Sequence, residues 1–268
     1  MFSTAESRAA LARSSLFMGS LAKCFRVLES LNQAARPVGL TELAQASGLD
    51  RSSVQRITHT LRALGYLRQD PDTKAFMLSG RIVEFGHTAL ATHRLRRRAQ
   101  SHLESLNRRT TEAVGLLELD GHEVVCVSRH PGGHAPSAEL ELHVGARFPA
   151  YCTAAGRAIL SRLAPADALA QLASAERTSR TPHTVTALPV LDTALESTRR
   201  LGYAVSEQET LMGTLSIAAP LVVVSGQPLG AVSIAVSTSR WDLGDVRERL
   251  VPQLLDTAAT INRDIRYL

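Results

Sequence analysis

Residues 51–64, RSSVQRITHTLRAL, wind at about 3.6 residues per turn into a short helix with two unlike faces. Val54, Ile57, Leu61 and Leu64 fall on one side. Ser52, Ser53, Gln55, Arg56, His59 and Arg62 spread over the rest. Asp50 stands where an N-cap belongs and Gly65 where a helix stops. An apolar back with an Arg/Gln/Ser front is what a DNA major groove admits. Arginine pairs bidentately with guanine and glutamine with adenine, while serine binds phosphate or base. A solvated amphipathic helix that reads nothing has the same pattern, so its neighbours must decide.

Those neighbours form a recognisable frame. Thr41-Glu42-Leu43-Ala44-Gln45-Ala46-Ser47 reads as a second short helix with Leu43 and Ala44 inward, and Gly48 makes the turn between the two. Ahead of it, Leu21, Phe25, Leu28 and Leu31 recur at helical spacing up to the Ala35-Arg36-Pro37 break. Behind come a strand (66–69), an Asp/Pro-rich turn (70–74) and a second strand (75–78). Three helices and a hairpin over 20–79 make a winged helix-turn-helix. In this frame Arg51, Ser52, Ser53, Gln55, Arg56 and His59 face the major groove of double-stranded DNA, and Thr41 and Lys74 meet phosphates. Residues 1–19 are expected to be a loose arm.

Charge agrees with the frame. The net +5 is uneven: residues 1–98 carry 15 Lys/Arg against 7 Asp/Glu, and residues 99–268 carry 15 against 18. A basic half that also holds the helix-turn-helix suits phosphate binding through counterion release. Arg94, Arg96, Arg97 and Arg98 read as a solvated face. No apolar run approaches the roughly 20 residues of a membrane span, and no signal-peptide pattern opens the chain, so a cytoplasmic protein without a membrane partner is expected.

A linker helix is expected over 80–98, with Ile82, Phe85 and Leu90 as candidates for a dimer contact. Beyond it the periodicity changes. Strands are expected at 113–119, 123–128, about 140–143, 203–206, 215–224 and 229–236. Helices are expected at 99–109, 153–163, 165–173, 189–201 and 243–264, with Asp120-Gly121 as a hairpin turn. One antiparallel sheet with helices segregated around it is an α+β module able to bind a small molecule on one face.

Other constellations are weaker. His122, His130, His134 and His143 lie within 22 residues and near Cys126, but they lack a helical i,i+4 pair or close ligand spacing, so no metal is assigned. The three cysteines, Cys24, Cys126 and Cys152, are far apart and expected to be buried thiols. Cys152 beside a helix start has the setting of a reactive thiol, without an assignable partner. No phosphate-binding glycine loop is present, and no cofactor is expected.

Taken together, LAKCFRVLESL, GLTELAQASGLDRSSVQRITHTLRALGYLRQDPDT, VGARFPAYCTAAGRAILS, LGYAVSEQET and GTLSIAAPLVVVSGQPLGAVSIAV resemble the IclR family of bacterial transcriptional regulators, in order and spacing, over about 20–265. PAYCTAAGRAIL and RTPHTVT resemble the branch that controls protocatechuate, 4-hydroxybenzoate and β-ketoadipate breakdown. The resemblance implies a winged helix-turn-helix, a linker helix and a C-terminal antiparallel-sheet (GAF-like) effector-binding domain over 99–268. It also implies a homodimer or dimer of dimers on a palindromic or repeated operator, and a small carboxylate effector, aromatic if the branch holds. Carried across, the effector pocket would be lined by Ala154 and Ala155 at a helix start, Ser206 and Glu207 after a strand, and Ser216, Ser233 and Ala235 on strands. Backbone N–H groups at a helix start suit a carboxylate. The chain departs from the family at Leu215 (often Arg), Ser216 (often Cys), Ser206 (often acidic) and Ala235 (often Ser), which makes the pocket less polar.

The expectation is a DNA-binding regulator under effector control, not an enzyme. Two rivals stand beside it: a small-molecule hydrolase or transferase fused to a helical module and using Cys152 or a histidine, and a ligand-independent DNA-binding scaffold.

Overall fold

In a computed structural model, residues 11–133 and 143–268 are described. The strand expected near 140–143 and His134 lie outside them, apart from His143. The described residues divide into two units, 11–92 and 93–268, each taken by itself.

The first unit runs α1 (Gly19–Ala34), α2 (Leu40–Ser47), α3 (Arg51–Ala63), β1 (Leu67–Gln69), β2 (Phe76–Leu78) and α4 (Arg81–Thr92). Val27, Leu31, Val38, Leu43, Val54, Leu61, Leu67 and Phe76 form its core. On α1 the inward face is Val27, Ser30 and Leu31, so Leu21 and Phe25 point outward, a correction to the expected apolar face. Leu64, expected on the buried side of α3, is likewise exposed. It is the C-cap, past the last residue that packs, while Thr58 takes a core place. Between α2 and α3, Gly48 takes φ +62°, which lets its own N–H and that of Leu49 reach back to Ala44. The hairpin has only three paired positions and is fixed at the rung next to its turn by two backbone bonds between Val38 and Phe76 (2.9 and 2.8 Å).

The helix expected over 80–98 is two helices, α4 and α5 (Arg94–Thr110). The break has a side-chain cause. His93 is extended and caps α5, its Nδ1 accepting from Arg96 N–H (3.2 Å), so Nε2 carries the proton and donates to Glu118 (3.0 Å). Burial raises the Glu118 carboxyl while His93 lowers it.

The second unit continues β3 (Ala113–Asp120), β4 (Glu123–His130), β5 (Arg147–Pro149), a 3-10 turn (Ala150–Cys152), α6 (Ala154–Leu160), α7 (Pro165–Ser174), α8 (Leu188–Leu201), β6 (Ala204–Glu207), β7 (Thr214–Val222), β8 (Pro228–Ser237), α9 (Leu243–Asp245), a π turn (Val246–Leu250) and α10 (Val251–Asp264). The sheet is antiparallel throughout, in the order β5-β4-β3-β8-β7-β6. The architecture is α+β, as expected. β5 was not anticipated, because three residues show no alternation. Leu117, Leu119, Cys126, Ala218 and Ala231 pack against α6 and α8. Their alternate neighbours Leu116, Val232, Ile234, Ile217 and Ala219, also buried, face the other way, where α5 and α10 cross the strands.

Candidate functional site

Two surfaces concentrate the residues singled out from the sequence. The first is the outer side of α3. Arg51, Ser52, Gln55, Arg56 and His59 are exposed and Ser53 is half-buried, so the six lie on the solvent face as their spacing required. Asp50 caps the helix by accepting from Ser53 N–H (2.8 Å), and it also accepts the hydroxyls of Ser52 (2.7 Å) and Ser53 (2.6 Å). These three donors hold the Asp50 carboxyl well below the usual carboxylate range. Both serine hydroxyl hydrogens are therefore engaged in hydrogen bonds to Asp50. Toward any partner they offer lone pairs, which suit a base amine better than a phosphate oxygen.

Between α3 and the hairpin runs an open groove of about 450 Å³, lined in part by Thr41, Arg51, Gln55, His59, Arg62 and Lys74. Thr41, on α2, and Lys74, in the hairpin turn, thus line one groove. Lys74 is held at φ +58° in the hairpin turn, and its ammonium donates to Pro71 O (2.7 Å). The turn is closed by Asp70, which accepts from Asp72 N–H, Thr73 N–H and the Thr73 hydroxyl. Beyond α3, Arg81 donates to Leu64 O (2.7 Å) and lies over the Tyr66 ring (4.9 Å), and the Ser79 hydroxyl donates to Gly65 O (2.6 Å). The two carbonyls just past the end of α3 are thereby satisfied from the residues that lead into α4. Arg62 stood on the polar face of the helix without an assigned role and Arg81 was not singled out; only the contacts of the fold reveal what they do.

The second surface is one face of the sheet. Strand register sets Gly115 opposite Ser233, Ser233 opposite Ala218 and Ala218 opposite Ala204. One rank along, Ala113, Ala235, Ser216 and Ser206 line up in the same way. Two full ranks across four strands therefore hold nothing larger than serine. Ser206, Ser233 and Ala218 are buried, and Ser216 and Ala235 half-buried. The 3-10 turn and the start of α6 close over this face. Cys152 O accepts from Ser206 Oγ (2.8 Å) and Thr210 Oγ1 (3.0 Å), and Thr153 Oγ1 caps Gly156 N–H (3.1 Å). A Cβ on Gly156 would fall inside the backbone of Ala150, so only glycine permits this approach.

Of the expected pocket residues, Ser206, Ser216, Ser233 and Ala235 share this face, with the buried Ala154 and Ala155 at the helix start that closes on it. Glu207 does not join them. Side chains alternate along β6, so Glu207 is exposed on the side of its partner Leu215, away from Ser206. Gly115, Ala113, Ala218 and Ala204 belong to the ranks and were missed, since register is not written in any one strand.

The wall of this region is fixed by a buried ion pair. Arg157 and Glu209, both almost wholly buried, meet in two parallel bonds of 2.5 Å. Arg157 also donates to Tyr151 O (2.8 Å) and Val205 O (3.2 Å), and Glu209 accepts from Val185 N–H (3.0 Å). Burial raises the Cys152 thiol and pushes that of Cys126 to about 11, so both are held protonated. Among the described residues no three His, Cys, Asp or Glu side chains converge on a metal-sized site. No helix of the described residues is long and apolar enough to cross a membrane.

Residues 20–71 match the model of the IclR helix-turn-helix domain, and residues 87–263 match that of the bacterial transcriptional regulator IclR C-terminal domain. The chain belongs to the IclR family. It is 30% identical to the transcriptional regulator XynR of Escherichia coli over 86% of this chain and 92% of that one. It is 29% identical to the Pca regulon regulatory protein of Pseudomonas putida, over 89% and 81%. An IclR homolog of Microbacterium hydrocarbonoxydans, crystallised with 4-hydroxybenzoate, superposes with a TM-score of 0.77 at 25% identity, covering 93% of this chain and all of that one. The IclR chain is thus a transcriptional regulator with a DNA-binding first unit, and not an enzyme.

Proposed function

We propose that this IclR regulator binds its operator as a cytoplasmic homodimer or dimer of dimers, under the control of a small aromatic carboxylate of the 4-hydroxybenzoate or protocatechuate kind. The observation that carries the effector reading is the pair of small-residue ranks across β3, β8, β7 and β6. Glycine, alanine and serine on a sheet face let a ligand or a helix backbone approach the strands closely, and the serine hydroxyls can orient a ligand. Among the described residues the hydroxyls of Ser216 and Ser233 make no hydrogen bond. The start of α6, with Ala154 and Ala155, offers backbone N–H groups to the carboxylate. Likeness to the Pca regulon regulator and to the homolog holding 4-hydroxybenzoate supports the aromatic class. On the DNA side Arg51, Gln55, Arg56 and His59 read base edges, Ser52 and Ser53 accept from base amines, and Thr41 and Lys74 touch phosphate. The dimer reading is supported by α4, a 12-residue helix with no buried residue that exposes Val83 and Phe85.

A thermal-shift titration tests the effector class. A ligand that binds only the folded state raises the melting temperature by mass action. A rise with 4-hydroxybenzoate or protocatechuate is expected. A rise with a short aliphatic acid alone would keep the regulator and discard the aromatic class.

A further inference from the structure

The wing of the first unit is too small to hold its own position. It has two strands of three residues, and such a hairpin is marginal without outside support. Val38 ties the rung next to the turn, where Phe76 pairs with Gln69, but among the described residues no backbone bond joins the turn beyond it, 70–75, to the core. A second tie is present on the groove side. Arg62, on the last turn of α3, donates from Nη1 to Gln69 Oε1 (2.7 Å). Gln69, the last residue of β1, turns its Nε2 across the hairpin and donates to Lys74 O (2.8 Å). The amide is used at both ends, so one chain of bonds runs from the recognition helix through Gln69 to the far side of the turn. It ends on the carbonyl of Lys74, a residue held at positive φ. Arg62 and Gln69 both line the groove that lies between helix and wing.

We propose that Arg62 and Gln69 are positioning residues for operator binding: together they form a strut that fixes the wing, with Lys74, at a set distance from the base-reading face of α3. An exposed arginine on a recognition helix is ordinarily counted as a phosphate or base ligand. Here its role is met inside the protein, and DNA feels it through the wing.

The two roles separate in a double-mutant cycle. The probe is a duplex selected from a random-sequence pool by the wild-type full-length protein, measured by fluorescence anisotropy across a salt series. If the strut operates, R62A and Q69A each weaken binding by about tenfold, and the double variant R62A/Q69A is no weaker than either single one, because each alone already breaks the chain of bonds. Hydroxyl-radical footprints of both singles lose protection at the same wing-side nucleotides and keep it under α3. Arg62 is exposed and Gln69 only half-buried, so melting temperatures stay close to the wild type. Should R62A fail to fold, Q69A carries the footprint test alone. The proposal is overturned if Q69A binds and footprints like the wild type. It is equally overturned if the two losses add, with R62A lowering the salt slope by about one phosphate contact and Q69A leaving it unchanged.

Discussion

The two units place their chemistry on opposite sides of their own surfaces. The first works outward: its core is small and apolar, and every residue assigned to DNA stands on an exposed helix face or turn. The second works inward. Its distinctive residues are buried serines, alanines and a glycine on a sheet face, walled by an ion pair that is itself buried. An outward-facing site tolerates truncation of its readers without loss of the fold. An inward-facing site is part of the packing, so its residues carry stability and recognition together. The contrast can be broken by mutation, beginning where the expected effect is greatest.

That place is Arg157. Removing one partner of a buried, fully bonded pair leaves the other charge stranded, at a cost of about 3–5 kcal/mol. R157A should lower the unfolding free energy by that amount in chemical denaturation. R157M/E209L, which removes both charges and keeps the volume, should recover much of the loss. A loss below about 1 kcal/mol would put this pair in the class of solvated surface bridges, and the inward character of the second unit would fail with it.

On the outward side, R56A should weaken operator binding by about 1–3 kcal/mol per subunit, the worth of a bidentate base contact. The melting temperature should hardly change, because substitutions of exposed side chains stay within about 0.5 kcal/mol. Anisotropy on a selected operator duplex and a thermal melt of the same sample check both halves. Unchanged operator affinity would remove Arg56 from the reading face.

The same contrast explains what could be read from the chain before its fold was known. The reading helix was legible because its cap, apolar stripe and polar front all lie within residues 50–65 and depend on one period. Even there the ends misled: Leu21, Phe25 and Leu64 keep the helical spacing but fall beyond the contact with the core, and spacing carries no information about where contact stops. The sheet face was legible only through resemblance, and only in part. Gly115, Ser233, Ala218 and Ala204 lie up to 118 residues apart in the chain and become neighbours through register alone. Glu207 was carried across beside Ser206, yet a strand cannot send adjacent side chains to one face. The split at His93 was hidden for another reason. No proline or glycine marks it, and the cause is a side chain that caps α5 and reaches to Glu118.

Ser233 sharpens the comparison from the inside. Its hydroxyl sits over Gly115, where an added methyl would meet it at 3.1 Å. If the ranks leave space for a ligand, the leucine of S233L occupies that space. The effector-induced rise in melting temperature should then vanish while operator affinity stays. Were the face already filled by protein, S233L would instead lower stability by about 1–3 kcal/mol through overpacking. An unchanged ligand titration in this variant would refute the pocket placement.

The smallest effect expected is chemical, and it sets one thiol of the first unit against two of the second. Cys24 is half-buried on α1, and burial raises it only in part. Cys126 and Cys152 are buried, the former pushed to about 11. At pH 8 a thiol of that pKa is ionised to about one part in a thousand, and the thiolate is the reacting species. Native protein treated with iodoacetamide should therefore take up close to one equivalent, at Cys24, with Cys126 and Cys152 labelled only after unfolding. Since the raised values keep the protonated form, increasing pH should accelerate Cys126 labelling in native protein only as it approaches 11. Rapid modification of Cys152 at pH 8 would mean that the turn closing on the sheet face opens in the native state. The inner surface of the second unit would then be as accessible as the outer surface of the first.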